Sequence, residues 1–77
     1  MPDRASLTWR MYQRGQWLTA NIVMPPESAA RIVCLLLREF AGKTYTPADV
    51  SVVGEIRRFS YRGDRIIVTL RRVEERK

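Results

Sequence analysis

The chain has 77 residues, one cysteine, no histidine, and 14 basic against 8 acidic side chains for a net charge of +6. A lone cysteine excludes an intramolecular disulfide or a cysteine-based metal cluster, and without histidine no Ser-His-Asp, Cys-His or zinc site can form within one chain. At this length the fold is one small domain that buries only about 60% of the surface its unfolded chain exposes, so a single sheet-and-helix core is all it can support.

No hydrophobic run approaches the length of a membrane span, and Met1-Pro2-Asp3-Arg4 does not begin a signal peptide, so a cytoplasmic protein without membrane association is expected. Residues 1–6 and 74–77 are expected to fray. Leu7 to Met24 reads as a first hairpin turning at Arg14-Gly15. That turn pairs Met11 with Leu18, Trp9 with Ala20 and Leu7 with Ile22 on one face. It pairs Tyr12 with Trp17, Arg10 with Thr19 and Thr8 with Asn21 on the other. The first set is apolar, and the second is polar apart from its aromatic pair. A turn shifted to Gly15-Gln16 would mix them.

Pro25-Pro26 ends the second strand, and Pro26 suits the first turn of a helix, where its missing N–H is not needed. The helix is predicted to run to Ala41, with Gly42 as its stop. At 3.6 residues per turn Ala29, Ile32, Val33, Leu36, Leu37 and Phe40 form an apolar arc, with Leu35 outside it. Lys43 to Asp49 reads as a connector in which Pro47 favours a turn and Tyr45 leans on the helix end. Val50 to Val53 is expected to open the third strand. A bulge at Gly54 would bring Val52 and Ile56 into line with Phe59 and Tyr61.

The last hairpin spans Glu55 to Val73 and turns at Gly63-Asp64, a pair suited to two-residue turns that need positive φ. Tyr61 then faces Ile66, Phe59 faces Val68 and Arg57 faces Leu70. On the opposite side Arg62 faces Arg65, Ser60 faces Ile67 and Arg58 faces Thr69. One side is oily and the other basic. Arg57 falls on the oily side, so its stem is expected along the core edge with its head in water. The Arg62-Gly63-Asp64 tripeptide is read as turn chemistry alone.

The fold class is therefore α+β: a β-β-α-β-β order giving a four-stranded, mainly antiparallel sheet with one helix packed on one face. The sequence leaves the strand order open. A single crossover from the second strand to the third implies that these two run the same way.

Charge is unevenly placed. Residues 1–20 carry +2, residues 21–54 carry zero and residues 55–77 carry +4, so the excess lies in the hairpins. One helix covers one sheet face, and the other stays open. On the registers above the open face holds Arg10, Tyr12, Trp17, Arg58, Ser60, Arg62, Arg65, Ile67 and Arg71. Arginines for phosphates and aromatic rings for bases are what single-stranded nucleic-acid platforms need. The expectation is a non-enzymatic domain, a regulator or accessory subunit, that binds DNA or RNA. Arg10, Arg14, Arg58, Arg62, Arg65 and Arg71 would meet phosphates, and Tyr12 and Trp17 would stack. No catalytic residues, cofactor or metal are expected. The alternative is a protein-interaction module, a homodimer or a subunit docking on an acidic partner protein, anchored by Trp17, Ile56 and Ile67.

Overall fold

The computed structural model describes residues 4–51 and 56–73. Its elements are β1 (Arg4–Gln13), β2 (Gln16–Met24), α1 (Pro26–Ala41), a single-turn α2 (Pro47–Val50), β3 (Ile56–Tyr61) and β4 (Ile66–Val73). The strands form one antiparallel sheet in the order β2-β1-β4-β3, an α+β architecture with α1 packed over β1 and β4.

Both hairpins adopt the registers read from the sequence. In the first, Met11 pairs with Leu18, Trp9 with Ala20 and Tyr12 with Trp17. In the second, Tyr61 pairs with Ile66, Phe59 with Val68 and Arg57 with Leu70. Arg14 and Gly15 have φ of 51° and 78°, the two left-handed residues a tight hairpin turn requires. At the other tip the left-handed stretch is longer, with Arg62, Gly63 and Asp64 at φ of 56°, 62° and 66°. The Arg65 N–H donates to the Arg62 carbonyl across it at 3.3 Å.

Three features depart from the expected course. β1 begins at Arg4 and not at Leu7, and Ala5, within the stretch expected to fray, is buried. Arg4 to Ser6 are held by pairing with Val73 to Arg71 of β4, neighbours that a local reading does not supply. Val50 does not open a strand but ends α2 and is fully buried. Thr46 and Asp49 cap that turn reciprocally: the Thr46 N–H donates to the Asp49 carboxylate at 2.9 Å, and the Asp49 N–H to the Thr46 carbonyl at 2.9 Å. The Thr46 N–H bond, together with one that the Thr46 hydroxyl donates to the same carboxylate at 2.9 Å, holds the Asp49 carboxyl below its usual range. Finally, β2 and β3 run in opposite directions and lie at opposite edges of the sheet. The reversal comes from the connector. α1 carries the chain from the Met24 end of the sheet towards Met11 and Ile66. The segment after it then runs back along α1, so that Pro47 and Ser51 border the same groove as Pro26 and Glu27. β3 thus starts at the end where β2 stopped. The expected Gly54 bulge, Val52, Val53, Glu55 and residues 74–77 lie outside the described residues.

The core is a single layer between helix and sheet. Leu7, Val68 and Leu70 from the central strands meet Val33 and Leu37 from α1 and Val50 from α2, all fully buried. α1 is rotated from the expected arc. Ala29, Ala30, Val33 and Leu37 are its buried residues, Ile32 and Leu36 are half-buried, and Phe40 is exposed. The helix closes on Gly42 at φ 66°, where the Lys43 N–H donates to the Leu37 carbonyl at 3.0 Å. Tyr45 leans on β3 beside the helix end. Its ring centroid is 6.3 Å from that of Phe59, and its hydroxyl is 2.5 Å from that of Tyr61. That hydroxyl bond, with burial adding to it, pushes the Tyr61 phenol up to about 12. Arg57 lies as expected, with its guanidinium 5.1 Å from the Phe59 ring centre and bonded to the Ser51 carbonyl at 3.1 Å.

Candidate nucleic-acid interface

Side chains alternate across a sheet, so the pairing fixes which residues share the face away from α1. Across β2, β1, β4 and β3 the rows are Val23, Ser6, Arg71, Ile56; then Asn21, Thr8, Thr69, Arg58; then Thr19, Arg10, Ile67, Ser60. Trp17 and Tyr12 form the start of a last row, continued where the Tyr12 N–H donates to the Arg65 carbonyl at 2.9 Å. Among the described residues, no carboxylate occupies a strand position on this face. Asp64 sits in the turn and accepts a hydrogen bond from Ser60.

The turn end of the face is an alternating stack of cations and rings. The Arg10 guanidinium lies 4.4 Å from the Trp17 ring centre. Trp17 meets Tyr12 edge-on at 5.3 Å and 62°. Arg65 lies 5.3 Å from the other ring of that pair, Tyr12. Both rings are exposed, at 37% for Tyr12 and 44% for Trp17, which leaves ring surface for a ligand to cover. Cation–π contacts at exposed sites stabilise by about 0.5–1 kcal/mol, whereas a stacked base contributes roughly 1–3 kcal/mol. A base can therefore displace a guanidinium from a ring and leave it free for a phosphate.

Arg58 and Arg71 continue the basic band on the β3 side. At about 4.8 Å between strands and 3.4 Å per residue, their Cα atoms are roughly 8 Å apart, and Arg58 is roughly 12 Å from Arg10. Arg62 and Arg65 line a shallow groove at the sheet end with Met11, Tyr12, Gln13, Glu39, Phe40 and Ile66. Glu39 is the one acidic side chain lining that groove.

Arg62 lies in the second turn and lines the end groove with Met11, Gln13 and Ile66, whose strand positions point to the helix side. Six of the eight residues read from the sequence as a binding set are brought onto this face or its rim: Arg10, Tyr12, Trp17, Arg58, Arg65 and Arg71. Arg14 is not. It occupies the first hairpin tip and borders a groove with Gln13, Gln16 and Leu18, whose strand positions point to the helix side. A turn residue has no strand parity, so the sequence could not assign it a face. Two polar contributors were missed. Arg4 shares the face because β1 starts early. Asn21 donates through its amide to the Ser6 and Thr8 hydroxyls at 2.9 and 2.7 Å and to the Leu7 carbonyl, which ties β2 to β1 on this side. The hairpin register already placed Asn21 opposite Thr8, and that was the available signal.

Among the described residues, no cluster of three or more histidine, cysteine, aspartate or glutamate side chains could hold a metal ion. Burial pushes the Cys34 thiol up, away from the reactive thiolate. No described helix is long and apolar enough to cross a membrane. The chain matches no protein-family model, and no curated protein or solved structure proved similar to it.

Proposed function

We propose that this protein is a non-enzymatic nucleic-acid-binding domain that holds a single strand of DNA or RNA on its open sheet face. The observation that carries the reading is the joint placement of Arg10, Arg58, Arg65 and Arg71 and an exposed Tyr12–Trp17 pair on a face and rim that hold no strand-borne carboxylate among the described residues. In this reading Arg10, Arg58, Arg62, Arg65 and Arg71 contact phosphates, while Trp17 and Tyr12 stack with bases. Between the charged positions Thr8 and Thr69 offer hydroxyl donors to base edges or sugars, and Ser60, whose proton goes to Asp64, offers an acceptor oxygen. Nothing in the face implies a strong sequence preference, since every base has a π-face.

The test is a fluorescence titration with a short oligonucleotide. Trp17 lies on the platform and Trp9 on the helix side, half-buried against the core. Binding quenches wild-type emission, and the quenching is lost in Trp17→Phe, which retains only the Trp9 signal. Replacing Arg58, Arg62 and Arg71 together with alanine abolishes binding and leaves the circular dichroism spectrum unchanged, because all three are exposed. A wild-type protein that binds neither single- nor double-stranded DNA or RNA at low salt would sink the proposal.

A further inference from the structure

β2 is an edge strand with an unusually bare edge. It is nine residues long, Gln16-Trp17-Leu18-Thr19-Ala20-Asn21-Ile22-Val23-Met24, and contains no charge, proline or glycine. Proteins ordinarily blunt such edges with lysine, proline or a bulge, because unpaired N–H and C=O groups accept another strand. The bonding parity shows which groups are unpaired. The Tyr12 N–H bonds towards β4, so the even residues of β1 serve β4 and the odd ones serve β2. Leu18, Ala20 and Ile22 lie opposite the odd residues and bond inwards. The backbone groups of Trp17, Thr19, Asn21 and Val23 therefore point out of the sheet. The Asn21 side chain cannot cover them, since its amide is engaged on β1.

The helix does not cover this side either. On the helix face of β2, Leu18 is 47% and Ile22 is 42% exposed. Cys34 borders the groove containing Tyr45, which packs on β3. Ile32 and Leu36 lie about 160° around the helix from Cys34, so they turn towards β2. An apolar shelf of Leu18, Ala20, Ile22, Ile32 and Leu36 thus stands beside a strand-accepting edge.

We propose that the occupant is a second copy of this chain, paired antiparallel through β2 about a two-fold axis at Ala20. That centre is also the midpoint of the strand, so it gives the longest overlap. On the helix side it sets Leu18 against Ile22 of the partner strand in both directions, with two small alanines meeting on the axis. On the open side it sets Trp17 against Val23 and Thr19 against Asn21. From residue 17 to residue 23 apolar residues meet apolar ones and polar meet polar, Gln16 meets Met24 at each end, and no like charges meet although each chain carries +6. The hydrogen-bonded pairs fall at Thr19–Asn21 and Trp17–Val23, which are the residues whose backbone groups are free. The product is an eight-stranded sheet with both helices on one side, Leu18 and Ile22 buried between them, and the two arginine faces joined into one. The dimer does not depend on nucleic-acid binding, and either can fail without the other.

The register makes a sharp test. Ala20 and its symmetry mate form a non-hydrogen-bonded pair with Cα atoms about 4.5 Å apart, within disulfide range. In a Cys34→Ser background, Ala20→Cys cross-links to a covalent dimer under mild oxidation. Thr19→Cys, whose mates are displaced along the strands beyond that range, does not. By sedimentation equilibrium the wild type is a dimer, Leu18→Lys shifts it to monomer, and Thr19→Pro, which removes an outward N–H only, does the same. Leu18 is exposed in the monomer, so the lysine variant keeps its fold. A wild type that remains monomeric up to its solubility limit overturns the proposal. So does a dimer that survives Leu18→Lys, or one in which Thr19→Cys cross-links and Ala20→Cys does not.

Discussion

The salt dependence of oligonucleotide binding can be derived from the positions of the arginines. Each phosphate neutralised on a single strand contributes about −0.7 to the slope of log K against log salt. Five arginines are assigned to phosphates, Arg10, Arg58, Arg65 and Arg71 on the open face or its rim and Arg62 in the groove at the sheet end. If each meets one phosphate the slope is about −3.5, and raising salt from 50 to 200 mM, a fourfold change, weakens binding roughly a hundredfold. Arg58→Ala reduces the slope to about −2.8, so the same salt step costs only about fiftyfold. Arg14→Ala leaves the slope unchanged, since Arg14 sits on the helix side of the first turn. Fluorescence anisotropy with a labelled single strand, repeated across salt concentrations for the three proteins, measures all three slopes. The assignment of phosphate contacts is refuted if Arg14→Ala lowers the slope as much as Arg58→Ala does, or if the wild-type slope is near zero. A near-zero slope with measurable affinity would point to stacking alone.

Two further outcomes concern stability. The Tyr45–Tyr61 hydroxyl bond is part-buried, and its net contribution is about 0.5–1.5 kcal/mol, so Tyr45→Phe lowers urea-unfolding stability by that amount and the double Phe variant is little worse than the single. Because the folded Tyr61 phenol titrates near 12 and an unfolded one near 10, the folded state holds its proton more tightly. That contribution is fully present below about pH 10 and is lost as pH rises through about 12. In Tyr45→Phe the phenolate absorbance of Tyr61 appears at lower pH, and an unchanged titration would contradict the hydroxyl bond. Leu7→Ala removes a fully buried side chain from a central strand and costs about 2–5 kcal/mol, against a total of roughly 4–11 kcal/mol for a domain of this length. Urea denaturation should therefore find it marginally folded, and a loss below about 1 kcal/mol would show that the site collapses around the gap.

The two hairpins were legible because alternation has a period of two and each turn pair admits one register that keeps oily and basic residues apart. That separation alone puts Arg10, Tyr12, Trp17, Arg58 and Arg71 on one face, where the strand pairing also has them. Arg57, by the same parity, was left out of the set, and its guanidinium does bond to the Ser51 carbonyl on the helix side. Turn residues lay beyond this logic. Arg14 and Arg65 are both at hairpin tips, and only the packing of β4 beside β1 sets Arg65 over Tyr12 while Arg14 is left near Leu18.

What the sequence determined by itself was local: two hairpins, one amphipathic helix capped at Gly42, and the division of charge between faces. These depend on periodicity and turn chemistry over a few residues. The tertiary structure decided how the pieces meet. The early start of β1 needs the last residues of β4. The opposite directions of β2 and β3 follow from a connector that doubles back along α1, with Val50 drawn from the expected strand into the core. The uncovered edge at β2 arises because α1 settles over β1 and β4. Which strands become the centre of a sheet is set by contacts between residues far apart in the chain, and no local pattern encodes it.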